Sequence, residues 1–164
     1  MLYERINYLK KEWANEEISL SAMRRILSRY KKPQRWICTL EERKFYDNLP
    51  DIVTLFRGGS ISEINSTFSI SWTTSRPVAC FFAFRNGIEN RAVFSTTIPK
   101  TEIRAVLVER EEDECLILNP KNVEIVTTQP TEHFAKYQKF RAEYDRKEKA
   151  MYNEIVKIFQ GMKF

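Results

Sequence analysis

Apolar residues recur at helical spacing at both ends of the chain and in short, strand-like runs between them. Ile6, Leu9 and Trp13 fall on one helical face, and Leu20, Met23, Ile26, Leu27 and Tyr30 on a second. Lys31-Lys32-Pro33 ends that segment, because proline disfavours helix in the residue before it. Thr39-Leu40-Glu41-Glu42 has the spacing of a capping box and opens a short helix toward Phe45 and Leu49, closed by Pro50. From Asp51 the pattern predicts strands over 52–56, 68–72, 92–98, 103–108, 115–118 and 123–127. A helix over 77–84 interrupts them, with Pro77 in its first turn and Val78, Phe81, Phe82 and Arg85 at helical spacing. Thr131 is placed to cap a long final helix running to about Phe159. Its apolar stripe is Phe134, Tyr137, Phe140, Tyr144, Met151, Ile155 and Ile158, read as core packing. Helices at both ends of a run of strands predict an α+β fold. One domain over 1–164 is expected, with a helical segment 1–50, a β-rich core 51–130 and a C-terminal helix 131–162.

Composition narrows the class. The 164 residues are 43% hydrophobic and 13% aromatic, enough for a folded core. No apolar run approaches the roughly 20 residues that span a bilayer, and residues 1–11 lack a signal-peptide core, so a cytoplasmic protein without membrane partners is expected. Cys38, Cys80 and Cys115 sit in apolar sequence without metal-ligand spacing and read as reduced core thiols. With His133 the only histidine, neither a metal site nor a Ser-His-Asp triad is expected.

The net charge of +5 is unevenly spread: residues 1–50 carry +4, 51–131 carry −2 and 132–164 carry +3. Basic flanks around a slightly acidic centre suit an anionic partner, although mixed charges also simply solvate helical faces.

Three features of the centre can carry chemistry. Leu55-Phe56-Arg57-Gly58-Gly59 places a guanidinium at a strand end, a planar fork for phosphate, beside glycines that allow close backbone approach. Alone, it is also an ordinary turn. Ser69-Ile70-Ser71-Trp72-Thr73-Thr74-Ser75 aligns Ser69, Ser71 and Thr73 on one strand face. With no histidine nearby, Ser71 has no base and is a poor nucleophile. Glu109-Arg110-Glu111-Glu112-Asp113-Glu114 leads directly into an apolar strand. If extended, it points Glu112 and Glu114 to one side, where paired carboxylates can divide labour between stabilising a cation and accepting a proton.

In this order, the three features resemble the Arg-Ser-Glu class of mono-ADP-ribosyltransferases, over residues 53–126. Ser71-Trp72-Thr73 followed by Ala79, Phe82 and Ala83 is most similar to bacterial-toxin and phage-type members. The resemblance implies a split β-sandwich of two small sheets clasping NAD as co-substrate, with no metal. It implies that Arg57 grips NAD phosphate, that the Gly58 backbone meets the nicotinamide carboxamide and that Ser71 braces the glutamate. Trp72-Thr73 stands where the family has Thr-Ser, which moves the second hydroxyl to Thr73. Glu114 matches the glutamate that holds the ribose 2′-hydroxyl, and Glu112 the acid that orients or deprotonates the acceptor. Residues 85–91 match the loop over phosphate and nicotinamide, with Arg85 or Arg91 as a second phosphate contact, and 109–113 the acceptor-recognition turn. The acceptor is a macromolecule, protein or nucleic acid, with arginine side chains as one candidate. The class whose motif begins with histidine is excluded, because His133 follows every candidate glutamate. Two alternatives stand beside transfer: a decayed scaffold that binds nucleic acid or protein, and a NAD glycohydrolase.

Overall fold

The computed structural model describes residues 2–15, 17–29, 39–65, 68–108 and 112–161. The Lys31-Lys32-Pro33 stop, Tyr30, Cys38 and Glu109 to Glu111 lie outside the described residues, as does the side chain of Ile158.

The chain opens with α1 (Leu2–Ala14), α2 (Leu20–Arg29) and α3 (Leu40–Asn48). The capping box at α3 forms as its spacing predicts. The Glu42 amide donates to the Thr39 hydroxyl, and the Thr39 amide to the Glu42 carboxylate, both at 3.1 Å. These bonds satisfy two amide donors that a helix start leaves open. Then follow β1 (Ile52–Ser60), a 3₁₀ turn (Ile61–Asn65), β2 (Ser71–Thr73), α4 (Arg76–Phe84) and β3 (Arg91–Pro99). A second 3₁₀ turn (Lys100–Glu102), β4 (Ile103–Leu107), β5 (Glu114–Ile117), β6 (Glu124–Thr127) and α5 (Glu132–Gly161) complete it. α4 begins as predicted around Pro77, one residue earlier, with Ser75 as its N-cap. Phe68 lies outside β2 but packs edge-on against Phe94, with centroids 5.3 Å apart.

The fold is α+β around one antiparallel sheet in the order β4-β5-β2-β1-β3-β6. The strands therefore form a single hydrogen-bonded sheet in place of two separate small ones. That sheet is nearly cut in half. β1 and β3 pair over nine residues, whereas β1 and β2 share the single pair Phe56↔Thr73.

Side-chain alternation explains the layers. One face carries a continuous cluster including Leu55, Trp72, Phe94, Cys115 and Ile117, which Phe45, Tyr46 and Leu49 of the α3 region help to cover. The other face is covered in two parts. Ile6, Met23 and Leu27 of α1 and α2 pack on Ile70, Ala105 and Leu116. Ala79, Ala83 and Phe84 of α4 pack on Val93, joined by Phe134 of α5. Between these two helical covers, over the weak β1–β2 joint, the sheet is open.

α5 departs from its sequence reading. Tyr137 is 7% exposed and Phe134 half-buried, but Met151 is 60% and Ile155 44% exposed, and Phe140 is at the surface. Thirty residues of helix extend about 45 Å, longer than the α4 surface that receives its first turns. The stripe is core packing near its start and solvent-facing at Met151 and Ile155.

Candidate active site

The opening between the helical covers is a cleft of about 670 Å³. Its floor is β1 and β2, and its walls come from α1, α4, α5 and the segment leading into β5. Arg57, Gly58, Ser71, Thr73, Arg85, Arg91, Glu112 and Glu114 all line it. Residues from four separate stretches of sequence thus surround one cavity.

Arg57 sits where β1 and β2 part. Past the Phe56↔Thr73 pair the backbones no longer match, and the Arg57 guanidinium fills the gap. Its Nη1 donates to the Ser71 carbonyl at 3.0 Å, and its Nε to Glu63 at 3.0 Å. Glu63 in turn accepts from the Ser60 amide at 3.0 Å. A residue with five donors can brace two strands and still present an edge to a ligand. Nη2 of Arg57 has no partner among the described residues.

The two glycines have packing reasons. A Cβ on Gly58 would lie 2.2 Å from the Ala79 carbonyl oxygen and 2.3 Å from the Ala83 nitrogen, so its bareness lets α4 lie against β1. The close approach at Gly58 is thus to a helix of the same chain. A Cβ on Gly59 would meet the Glu63 carboxylate at 2.1 Å.

Across the cleft, antiparallel register sets Thr73 opposite Glu114 and Ser71 opposite Leu116. Ser71, Thr73 and Glu114 thereby share the cleft face, while Trp72 and Cys115 enter the core behind it. The hydroxyl of Thr73 donates to the Glu112 carbonyl at 2.7 Å and accepts from the Ser75 amide at 2.9 Å. Glu112 and Glu114 both reach the cleft, but not through extended backbone. β5 starts at Glu114, and Asp113 has φ +47°, so a left-handed residue turns the chain between them. A donor on the Glu114 Oε1 is the Trp13 indole at 3.1 Å, and the Ser71 hydroxyl is not bonded to it.

Arg85 and Arg91 differ in availability. Arg91 donates to the Ala83 and Phe82 carbonyls at 2.8 and 3.2 Å, closing the C-terminal end of α4. Arg85 is exposed at the rim, with its guanidinium 4.8 Å from the Phe82 ring centroid. Arg85 is the freer cation for a phosphate.

Trp13, Arg141, Asp145 and Glu63 escaped the sequence reading. Arg141 Nη1 reaches Glu112 at 2.9 Å, and its Nε reaches Asp145 at 3.0 Å. Burial alone lowers the pKa of Arg141, but Glu112, Asp145 and Tyr137 raise it, and the net shift is upward. The one available signal was position: Arg141 follows Tyr137 by four residues and so falls on the packed face of α5. His133 is half-buried in the first turn of α5 and does not line the cleft.

Neither protein-family profiles, nor curated proteins, nor solved structures yield a match to this chain. Among the described residues no helix is long and apolar enough to cross a membrane.

Proposed function

We propose that this chain is a mono-ADP-ribosyltransferase of the Arg-Ser-Glu type, which moves ADP-ribose from NAD to a macromolecular acceptor and releases nicotinamide. One observation carries the reading: Arg57, Ser71 and Glu114, distant in sequence, line a single cleft of about 670 Å³. Small-molecule and cofactor pockets commonly measure about 300–1,000 Å³. In this reading the weak β1–β2 joint divides the one sheet into two parts that correspond to the two sheets of the split β-sandwich, with NAD bound over the joint.

The cleft residues suit the chemistry. Arg57 and Arg85 hold the anionic diphosphate, which fixes the nicotinamide–ribose bond relative to the carboxylates. Nicotinamide leaves neutral from a cationic ring, and the ribose becomes an oxocarbenium ion. The Glu114 carboxylate, set against the 2′-hydroxyl, stabilises that positive charge where it develops. The acceptor attacks the anomeric carbon, and Glu112 takes its proton.

A second reading, a NAD glycohydrolase, is favoured by the Glu112–Arg141 pair. A carboxylate already engaged by an internal guanidinium serves an incoming acceptor less readily, whereas water needs only Glu114. Incubation of the purified protein with labelled NAD and cell lysate separates the two. Transfer predicts label on macromolecules, and hydrolysis predicts free ADP-ribose alone. Unconsumed NAD contradicts both.

A further inference from the structure

We infer that Trp13 is a positioning residue for Glu114, so the first helix is part of the active site; this rests on the transferase reading of the cleft. The indole Nε1 donates to the Glu114 Oε1 at 3.1 Å, across 101 residues of sequence. An indole N–H is only a donor. It can neither take a proton from the carboxylate nor compete with it for a ribose hydroxyl. It fixes one oxygen and keeps the group oriented. Ser71, the hydroxyl assigned this duty by family resemblance, is not bonded to Glu114.

The helix that carries Trp13 is built to hold it still. Ile6, Lys10 and Trp13 follow one another at helical spacing on the face turned toward the body. Ile6 is 4% exposed and packs in the cluster with Met23, Leu27 and Leu116. Lys10 is 5% exposed and pairs with Glu42, the same residue that closes the capping box of α3. A buried lysine needs such a partner, and the pair pins α1 to α3. Trp13 follows within one further turn, with Trp13, Ala14 and Leu107 all at the cleft wall beside Glu114. Without residues 2–14, the motif-bearing segment 53–126 lacks this donor to Glu114.

The test uses the full chain in three forms: wild type, Trp13→Phe and Glu114→Gln, with the double variant to close the cycle. Phenylalanine keeps the ring and removes the donor. A hydrogen bond to a charged group of this kind corresponds to about ten- to a hundredfold in rate. Trp13→Phe should lower kcat for NAD turnover by that factor with KM for NAD within about twofold. It should lower it no further in the Glu114→Gln background. Independently of activity, Glu114→Gln in a ¹⁵N-labelled chain should move one of the three indole N–H resonances, and Trp13→Phe should delete that same resonance. Wild-type kcat in Trp13→Phe, or three unmoved indole resonances in Glu114→Gln, overturns the inference while leaving the transferase reading intact. A wild-type chain that never consumes NAD removes the reaction itself, and Trp13's part in it.

Discussion

Thr73 stands directly opposite Glu114 in the β2–β5 ladder, and its hydroxyl also holds the Glu112 carbonyl at 2.7 Å. One 6%-exposed side chain therefore secures the turn between the two acids of the proposed site. Thr73→Val keeps the shape and removes the hydroxyl that bonds the Glu112 carbonyl and the Ser75 amide. A loss of about 1–3 kcal/mol in urea unfolding is expected. Transfer should fall more than NAD affinity, measured by turnover and by calorimetry on the same variant.

Gly58 is the point at which β1 and α4 touch. Alanine there inserts a Cβ 2.2 Å from the Ala79 carbonyl oxygen and 2.9 Å from the Ala83 Cα. Neither partner is a flexible side chain, so the helix must lift from the strand. Gly58→Ala should cost about 1–3 kcal/mol, read as a lowered denaturation midpoint. An unchanged midpoint contradicts the packing role given to this glycine.

Glu112 separates transfer from hydrolysis. If it takes the acceptor's proton, Glu112→Gln should depress label transfer well below wild type while NAD hydrolysis declines much less. Release of nicotinamide and labelling of acceptor, followed in one reaction, give both rates. Equal loss of the two removes Glu112 from the acceptor step.

Cys115, directly behind Glu114, makes a prediction about pH. Burial first, and then the charges of Glu114 and Asp113, push its thiol well above the ordinary 9.0. The folded chain thus holds the thiol proton more tightly than the unfolded chain does. This contribution to stability is complete below pH 9.0 and is lost as pH rises beyond it. Denaturation midpoints should fall above that pH, more in wild type than in Cys115→Ala measured against its own neutral-pH value. At neutral pH the native thiol should resist alkylation and react once the chain is unfolded.

The parts of the fold that were legible in the sequence are those set by neighbours along the chain. Thr39 and Glu42 form their box because both partners lie within one turn. The start of α4 follows from Ser75 and Pro77, and the strand runs follow from alternation. Arg57, Ser71 and Glu114 could be singled out because each sits in a short local pattern. What joins them is long-range. Trp13 read as one apolar residue on a helical face, and nothing local says that its N–H meets a carboxylate 101 residues on. Arg141 was not singled out at all, because periodicity does not reveal a partner 29 residues away. The stripe of α5 failed for a related reason. Spacing shows that Met151 and Ile155 share a face with Tyr144, but not where the body beneath the helix ends.

The decisive measurement is NAD turnover by Glu114→Gln beside the wild type, with NAD binding followed on both proteins. Nicotinamide release should fall by at least about 10²–10³-fold, the usual cost of losing a preorganised electrostatic contact, while affinity for NAD stays near wild type. Equal turnover by the two proteins would contradict the account, because the cleft would then be working without the carboxylate around which it is described.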